Sequence, residues 1–187
     1  VKVLKTDIPD VLIFEPVVLR DGRGLFLEMF NRAHAGAGLP ETFVQDNLSR
    51  STRGVLRGLH FQNPNAQGKL VTVLAGAVLD VAVDVRRGSP TFGRHVAAEL
   101  SEENRRQMFV PRGFAHGFQV LSETADFFYK CDAFYSRADE WVVRFDDPTL
   151  GIEWPIANPV LSERDRAAPL LADVAQLPAY DPACASL

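Results

Sequence analysis

Two of the four histidines sit in dense local motifs, and their surroundings define the chemistry open to the chain. His60 lies in Arg57-Gly58-Leu59-His60-Phe61-Gln62, and His116 ends Pro111-Arg112-Gly113-Phe114-Ala115-His116. An imidazole titrates near neutral pH, so it can act as base, acid or metal ligand. His34, in an Ala/Gly-rich connection, and His95, after a Gly-Arg turn, are expected at the surface. A metal site needs three or four nitrogen, oxygen or sulfur ligands. Two residues after His60 stands Gln62 rather than a second histidine, so the pattern is short of imidazoles and predicts neither a metal nor another cofactor. Proton transfer next to a carbonyl fits better. It needs a base near neutral pKa, a cation or donor for the enolate oxygen, and an acid on the other face. Histidine, lysine and tyrosine supply these in turn, and an aspartate behind the histidine would fix its tautomer. Taken alone, His60 also reads as a buried structural histidine, and Tyr129, sharing a strand face with Phe127 and Cys131, as a core residue with a satisfied hydroxyl.

The elements that must position these groups read as strands. Apolar runs at 11–14, 25–30, 54–62, 69–75, 77–85, 95–100, 107–110, 115–121, 125–131 and 141–145 are separated by Gly, Pro, Asp and Asn clusters. Short helices are expected at 31–37 and, capped by Ser162, at 162–168, with a turn at 101–104. Many short strands without a long helix predict an all-β fold, a double-sheet jelly roll or small barrel with a few short helices. Along Val81-Ala82-Val83-Asp84-Val85 the odd positions are all valine, and the other face carries Val78, Asp80, Ala82 and Asp84, either a polar cavity lining or a wet face. Arg57 and His60 have opposite parity, so a bulge at Gly58 is required if both face one site.

The chain has 187 residues, 47% hydrophobic and 24% charged, with a net charge of −4. That suits one domain spanning 1–187 with a C-terminal tail from about 175, frayed at 178–187. The weak negative charge excludes a general nucleic-acid binder. No apolar run approaches a membrane span, and the first ten residues lack the apolar core of a signal peptide. Two cysteines, Cys131 and Cys184, are expected to be unpaired in a cytoplasmic protein.

The Pro-x-Gly-x-x-His spacing ending at His116 resembles the second motif of the cupin superfamily. A longer series resembles the dTDP-4-dehydrorhamnose 3,5-epimerase family: Asp21-Gly22-Arg23-Gly24-Leu25-Phe26-Leu27-Glu28, Phe43-Val44-Gln45-Asp46-Asn47-Leu48-Ser49, Arg57-Gly58-Leu59-His60, Gly68-Lys69-Leu70, Pro111-Arg112-Gly113-Phe114-Ala115-His116, Tyr129-Lys130 and Ser162-Glu163-Arg164-Asp165. The resemblance implies a metal-independent cupin-fold epimerase acting on a dTDP-4-dehydro-6-deoxyhexose. It implies His60 as base, Asp165 as its partner, Tyr129 as acid and Lys69 near the keto oxygen. Gln45, Asn47, Ser49, Arg57, His116, Tyr135 and Glu140 would line the sugar and diphosphate site. Arg23, Phe26 and Glu28 would reach the nucleotide from the partner subunit of a homodimer with exchanged N-terminal strands. Phe134 stands where the family often has a tyrosine, a region that influences ring turning. A single-carbon epimerase, a sugar ketoisomerase and a non-catalytic sugar-nucleotide-binding cupin are the alternatives.

Overall fold

The computed structural model describes residues 1–182, apart from the side chains of residues 34 and 35. Cys184, the tail beyond 182 and the surface position expected for His34 therefore lie outside the described residues. The chain forms β1 (Lys2–Lys5), β2 (Leu12–Glu15), β3 (Val18–Asp21), β4 (Gly24–Leu27), β5 (Gln45–Thr52), β6 (Leu56–Gln62), β7 (Lys69–Ala75), β8 (Ala77–Asp84), β9 (His95–Ser101), β10 (Gln107–Val110), β11 (Phe114–Val120), β12 (Thr124–Cys131) and β13 (Glu140–Val142). Two sheets face each other, one ordered β1-β2-β10-β7-β12-β5 and the other β13-β6-β11-β8-β9, while β3 and β4 form a separate hairpin. All ladders between these strands are antiparallel. The fold is all-β, with only short helical turns at Arg32–Ala37, Arg137–Asp139 and Leu171–Asp173 and one α-helical turn, α1 (Glu163–Arg166). None of the described helices is long and apolar enough to cross a membrane.

The alternation in β8 shows how the layers are built. Val78 and Ala82 point between the sheets, where they join Val71, Val73, Met108, Phe118 and Phe127. Val81, Val83 and Val85 point outward, where Leu59, Phe61, Val143, Leu150 and Leu171 cover them. The segment after β13 folds across this valine face, and the opposite face, where Asp80 and Asp84 are both buried, is not wet. A third cluster, Phe14, Leu39, Leu70 and Phe109, is covered by the connection between β4 and β5.

The two aspartates on the inner face of β8 part company. Asp80 bonds His116, whereas Asp84 turns to the following loop and accepts from Arg86, Ser89 and Thr91. Arg86 also pairs with Asp10 and lies against the rings of Phe114 and Tyr180. Its neighbour Arg87 donates from its amide to the Pro178 carbonyl and accepts from Tyr180 N–H. The tail expected to fray is thus tied down as far as Tyr180.

Strand boundaries differ from the sequence reading where loops share strand composition. The run at 25–30 ends at Leu27, and that at 141–145 ends at Val142. Sequence patterning missed β1, β3 and β5. The helix expected at 162–168 is the single turn α1, with the Ser162 hydroxyl accepting from Asp165 N–H at 3.1 Å. That at 31–37 is a 3₁₀ helix.

Candidate active site

The cleft between the two sheets is built from the backbone upward. On β6 and β11 the register places His60 opposite His116, then shifts before Phe118 pairs with Arg57. The shift restores the parity that a regular strand forbids, so Arg57 and His60 border one cleft. Two glycines permit it. Gly58 has φ of +124°, and a Cβ there would lie 2.5 Å from Gly117 Cα. On Gly117, a Cβ would lie 2.6 Å from the Arg57 carbonyl oxygen.

The cleft has a volume of about 640 Å³ and is bordered by Asn47, Ser49, Arg57, His60, Lys69, His116, Tyr129, Arg164 and Asp165. The histidines and Arg57 come from one sheet; Asn47, Ser49, Lys69 and Tyr129 come from the other. Phe118 and Phe127, stacked at 4.0 Å between ring centroids, give it an apolar wall.

His60 Nε2 lies 2.6 Å from Asp165 Oδ1. The partner arrives from 105 residues away because 160 pairs with 55 and carries α1 to the edge of β6. Burial would raise the Asp165 carboxyl, but hydrogen bonds from His60, Ser162 and Gly58 N–H outweigh it and hold the pKa below the usual range. The carboxylate is therefore ionised, and it selects the His60 tautomer protonated at Nε2. Nδ1 is left with its lone pair and no hydrogen bond among the described residues.

Tyr129 is half-buried on β12, and burial foremost pushes its phenol above the usual tyrosine range, so it holds its proton at neutral pH. Lys69 starts β7 beside Cys131. Burial lowers its pKa, against the opposing pull of Cys131, Glu140 and Asp80. It forms no ion pair among the described residues. The Cys131 thiol is pushed up to about 11, chiefly by burial, and accepts a weak bond from Asn47 at 3.7 Å. Arg57 is steered by the Ser51 hydroxyl, 3.0 Å from Nη2.

The rim is a second network. The Tyr135 hydroxyl donates to Glu140 at 2.8 Å, Arg164 clasps the same carboxylate, and Gln45 accepts from Tyr135 N–H at 2.9 Å. Burial opposes ionisation of Glu140, but Arg164 and Tyr135 hold its pKa low. Gln45, Tyr135 and Glu140 thus adjoin the cleft rather than line its floor.

Arg23, Phe26 and Glu28 are not brought to this cleft within the chain. Arg23 and Phe26 line a shallow depression on the β3–β4 hairpin, Phe26 is 69% exposed, and Arg23 pairs with Asp21 at 2.6 Å. Glu28 accepts from Asn31 at 3.2 Å.

Sequence reasoning missed Arg164 and Asp80. Arg164 sits beside Asp165 in a motif already singled out, and a one-turn helix presents both toward β6. Asp80, buried and 2.8 Å from His116 Nε2, was marked only by its inward parity. Among the described residues no group of three or more His, Cys, Asp and Glu is placed to hold a metal ion.

Comparison with known proteins gives a consistent picture. Residues 5–173 match the family profile described as dTDP-4-dehydrorhamnose 3,5-epimerase. A Shigella flexneri protein of that name is 55% identical over 166 residues, covering 87% of this chain and 92% of that protein. The crystal structure of the Legionella pneumophila dTDP-6-deoxy-D-glucose-3,5-epimerase in complex with dTDP-4-keto-L-rhamnose has 50% identity and a TM-score of 0.93, covering 96% of this chain and 98% of that one. The Elizabethkingia anophelis dTDP-4-dehydrorhamnose 3,5-epimerase structure has 52% identity and a TM-score of 0.87, covering 92% and 97%.

Proposed function

The chain belongs to the dTDP-4-dehydrorhamnose 3,5-epimerase family, and from that premise we propose how its residues invert C3 and C5 of dTDP-4-dehydro-6-deoxy-D-glucose to give dTDP-4-dehydro-L-rhamnose. His60 takes the C5 proton through Nδ1, and the Asp165 carboxylate stabilises the imidazolium that forms. Lys69 stands by the C4 carbonyl and stabilises the enolate oxygen. Its ammonium is poorly solvated and unpaired among the described residues, so the developing anion becomes its counterion. Tyr129 delivers a proton to the opposite face of C5. His60 then releases its proton to solvent and Tyr129 regains one from solvent, the ring changes pucker, and the same pair acts at C3.

The observation that carries this reading is that the imidazole–carboxylate pair and the protonated phenol come from opposite sheets and border one cleft. Inversion requires proton removal and delivery on opposite faces of a carbon, and two facing sheets supply that. Arg57, His116, Asn47 and Ser49 hold the sugar and diphosphate; Arg164, Glu140, Tyr135 and Gln45 hold the mouth. The exposed β3–β4 hairpin lends Arg23, Phe26 and Glu28 to the cleft of a second copy, where Phe26 stacks on thymine and Arg23 meets the diphosphate.

The test is incubation of the protein with dTDP-4-dehydro-6-deoxy-D-glucose in deuterated water, with the product read by NMR. Two deuterons, at C3 and C5, are expected. One deuteron would make the chain a single-carbon epimerase. No deuteron with unchanged sugar would make it a binding protein, and a product whose carbonyl has moved to the neighbouring carbon would make it a ketoisomerase.

A further inference from the structure

The loop between β12 and β13 carries Tyr135, and its backbone is held in an unusual way. Around Tyr135 the peptide groups are gripped by glutamine side chains. Gln62 Oε1 accepts from Ser136 N–H at 2.8 Å, and its Nε2 donates to the Phe134 carbonyl at 3.4 Å and to the Asn65 carbonyl at 2.6 Å. Gln67 Nε2 donates to the Ala133 carbonyl at 2.8 Å. Both glutamines are buried, at 5% and 9% exposure. A primary amide offers a donor and an acceptor at one end of a long side chain, so Gln62 pins the peptide groups on both flanks of Tyr135 at once.

Gln62 does not border the cleft, whereas the groups it holds lead there. Tyr135 bonds Glu140, Glu140 pairs with Arg164, and Arg164 borders the cleft beside Asp165. We infer that Gln62, resting on the substrate reading above, is a positioning residue that fixes Tyr135 and through it the Glu140–Arg164 rim that grips the nucleotide sugar. It acts on substrate capture rather than on proton transfer, because the Gln62 side chain, although on the same strand as His60, bonds only the Asn65, Phe134 and Ser136 backbone and none of His60, Lys69 and Tyr129.

Two variants test this. Gln62→Leu keeps much of the volume and removes every polar contact. Gln62→Glu keeps the acceptor for Ser136 N–H but turns an oxygen toward the Phe134 and Asn65 carbonyls, and it serves if the leucine variant does not fold. KM for the dTDP-keto sugar should rise about tenfold while kcat stays within about threefold. Combined with Tyr135→Phe, the Gln62 change should add nothing beyond the Tyr135→Phe effect, because both act through one contact. Unchanged KM in a folded Gln62 variant, equal loss of kcat, or effects that multiply in the double variant would each overturn the inference. Wild-type turnover in the same assay keeps the two readings apart: without it the substrate assignment fails, and with it only the role of Gln62 is at stake.

Discussion

At the scale of single residues, the proposed reaction rests on a division of labour between His60 and Tyr129. Asp165 is ionised because three donors surround it and accepts from His60 Nε2–H, which leaves the lone pair of the neutral imidazole on Nδ1. Tyr129 keeps its proton because burial opposes the phenolate. A base and an acid held in these states need no rearrangement before the first step, and each such group contributes about 10²- to 10⁴-fold in rate. His60→Asn should therefore lose both turnover and solvent exchange of the C5 proton by at least that factor, while dTDP still binds by calorimetry. Tyr129→Phe should slow epimerisation comparably yet still allow C5 exchange, since the base and Lys69 remain. Equal loss of exchange and turnover in Tyr129→Phe would place the phenol in the first step rather than the second.

At the scale of elements, the site depends on β6 and β11 approaching more closely than side chains allow. The Gly58–Gly117 contact lets the β6 register shift, and the shift turns Arg57 and His60 toward the same cleft. Gly58→Ala forces a Cβ into the neighbouring backbone at a φ that only glycine adopts readily, and should cost more than about 2 kcal/mol. In a protein of this size that lowers the thermal midpoint by roughly 4 to 8 °C. A calorimetric midpoint within a degree of wild type would show that the two strands do not need to touch here. From the sequence, a bulge at Gly58 was only the condition under which residues 57 and 60 could share a face; the register shift shows that it is met. By contrast β5 was illegible for a functional reason. Its inward residues Gln45, Asn47, Ser49 and Ser51 alternate in burial as a strand should, but they are polar because they border the site and its rim rather than fill a core. Hydrophobic periodicity cannot detect a strand whose buried face is hydrophilic. The pairing of His60 with Asp165 was equally beyond local pattern. It was implied by family resemblance alone, since 105 residues separate the two and the docking of residue 160 on residue 55 has no periodic signature.

At the scale of the whole molecule, one piece of the chain lacks a place in its own fold. The β3–β4 hairpin joins neither sheet and leaves Leu19 and Phe26 exposed at 59% and 69%, while β5 ends the larger sheet with Leu48 at 61%. A hairpin outside both sheets and an open sheet edge beside the cleft are what the proposed exchange between two copies would use. Exchange of the hairpin between copies predicts a specific pattern of complementation. His60→Asn and Arg23→Ala each remove one component of the site and should each give a protein of very low activity. If the site takes His60 from one copy and Arg23 from the other, a mixed dimer contains one site with both substitutions and one with neither. Random reassortment of equal amounts after mild denaturation makes half the dimers mixed, so about a quarter of wild-type activity should return. A site assembled within one chain could not recover in this way, because every copy would still carry a damaged component. Activity that stays at the level of the parents, with mixed dimers demonstrated by mass spectrometry, would therefore return Arg23 and Phe26 to the role of surface residues on an exposed turn.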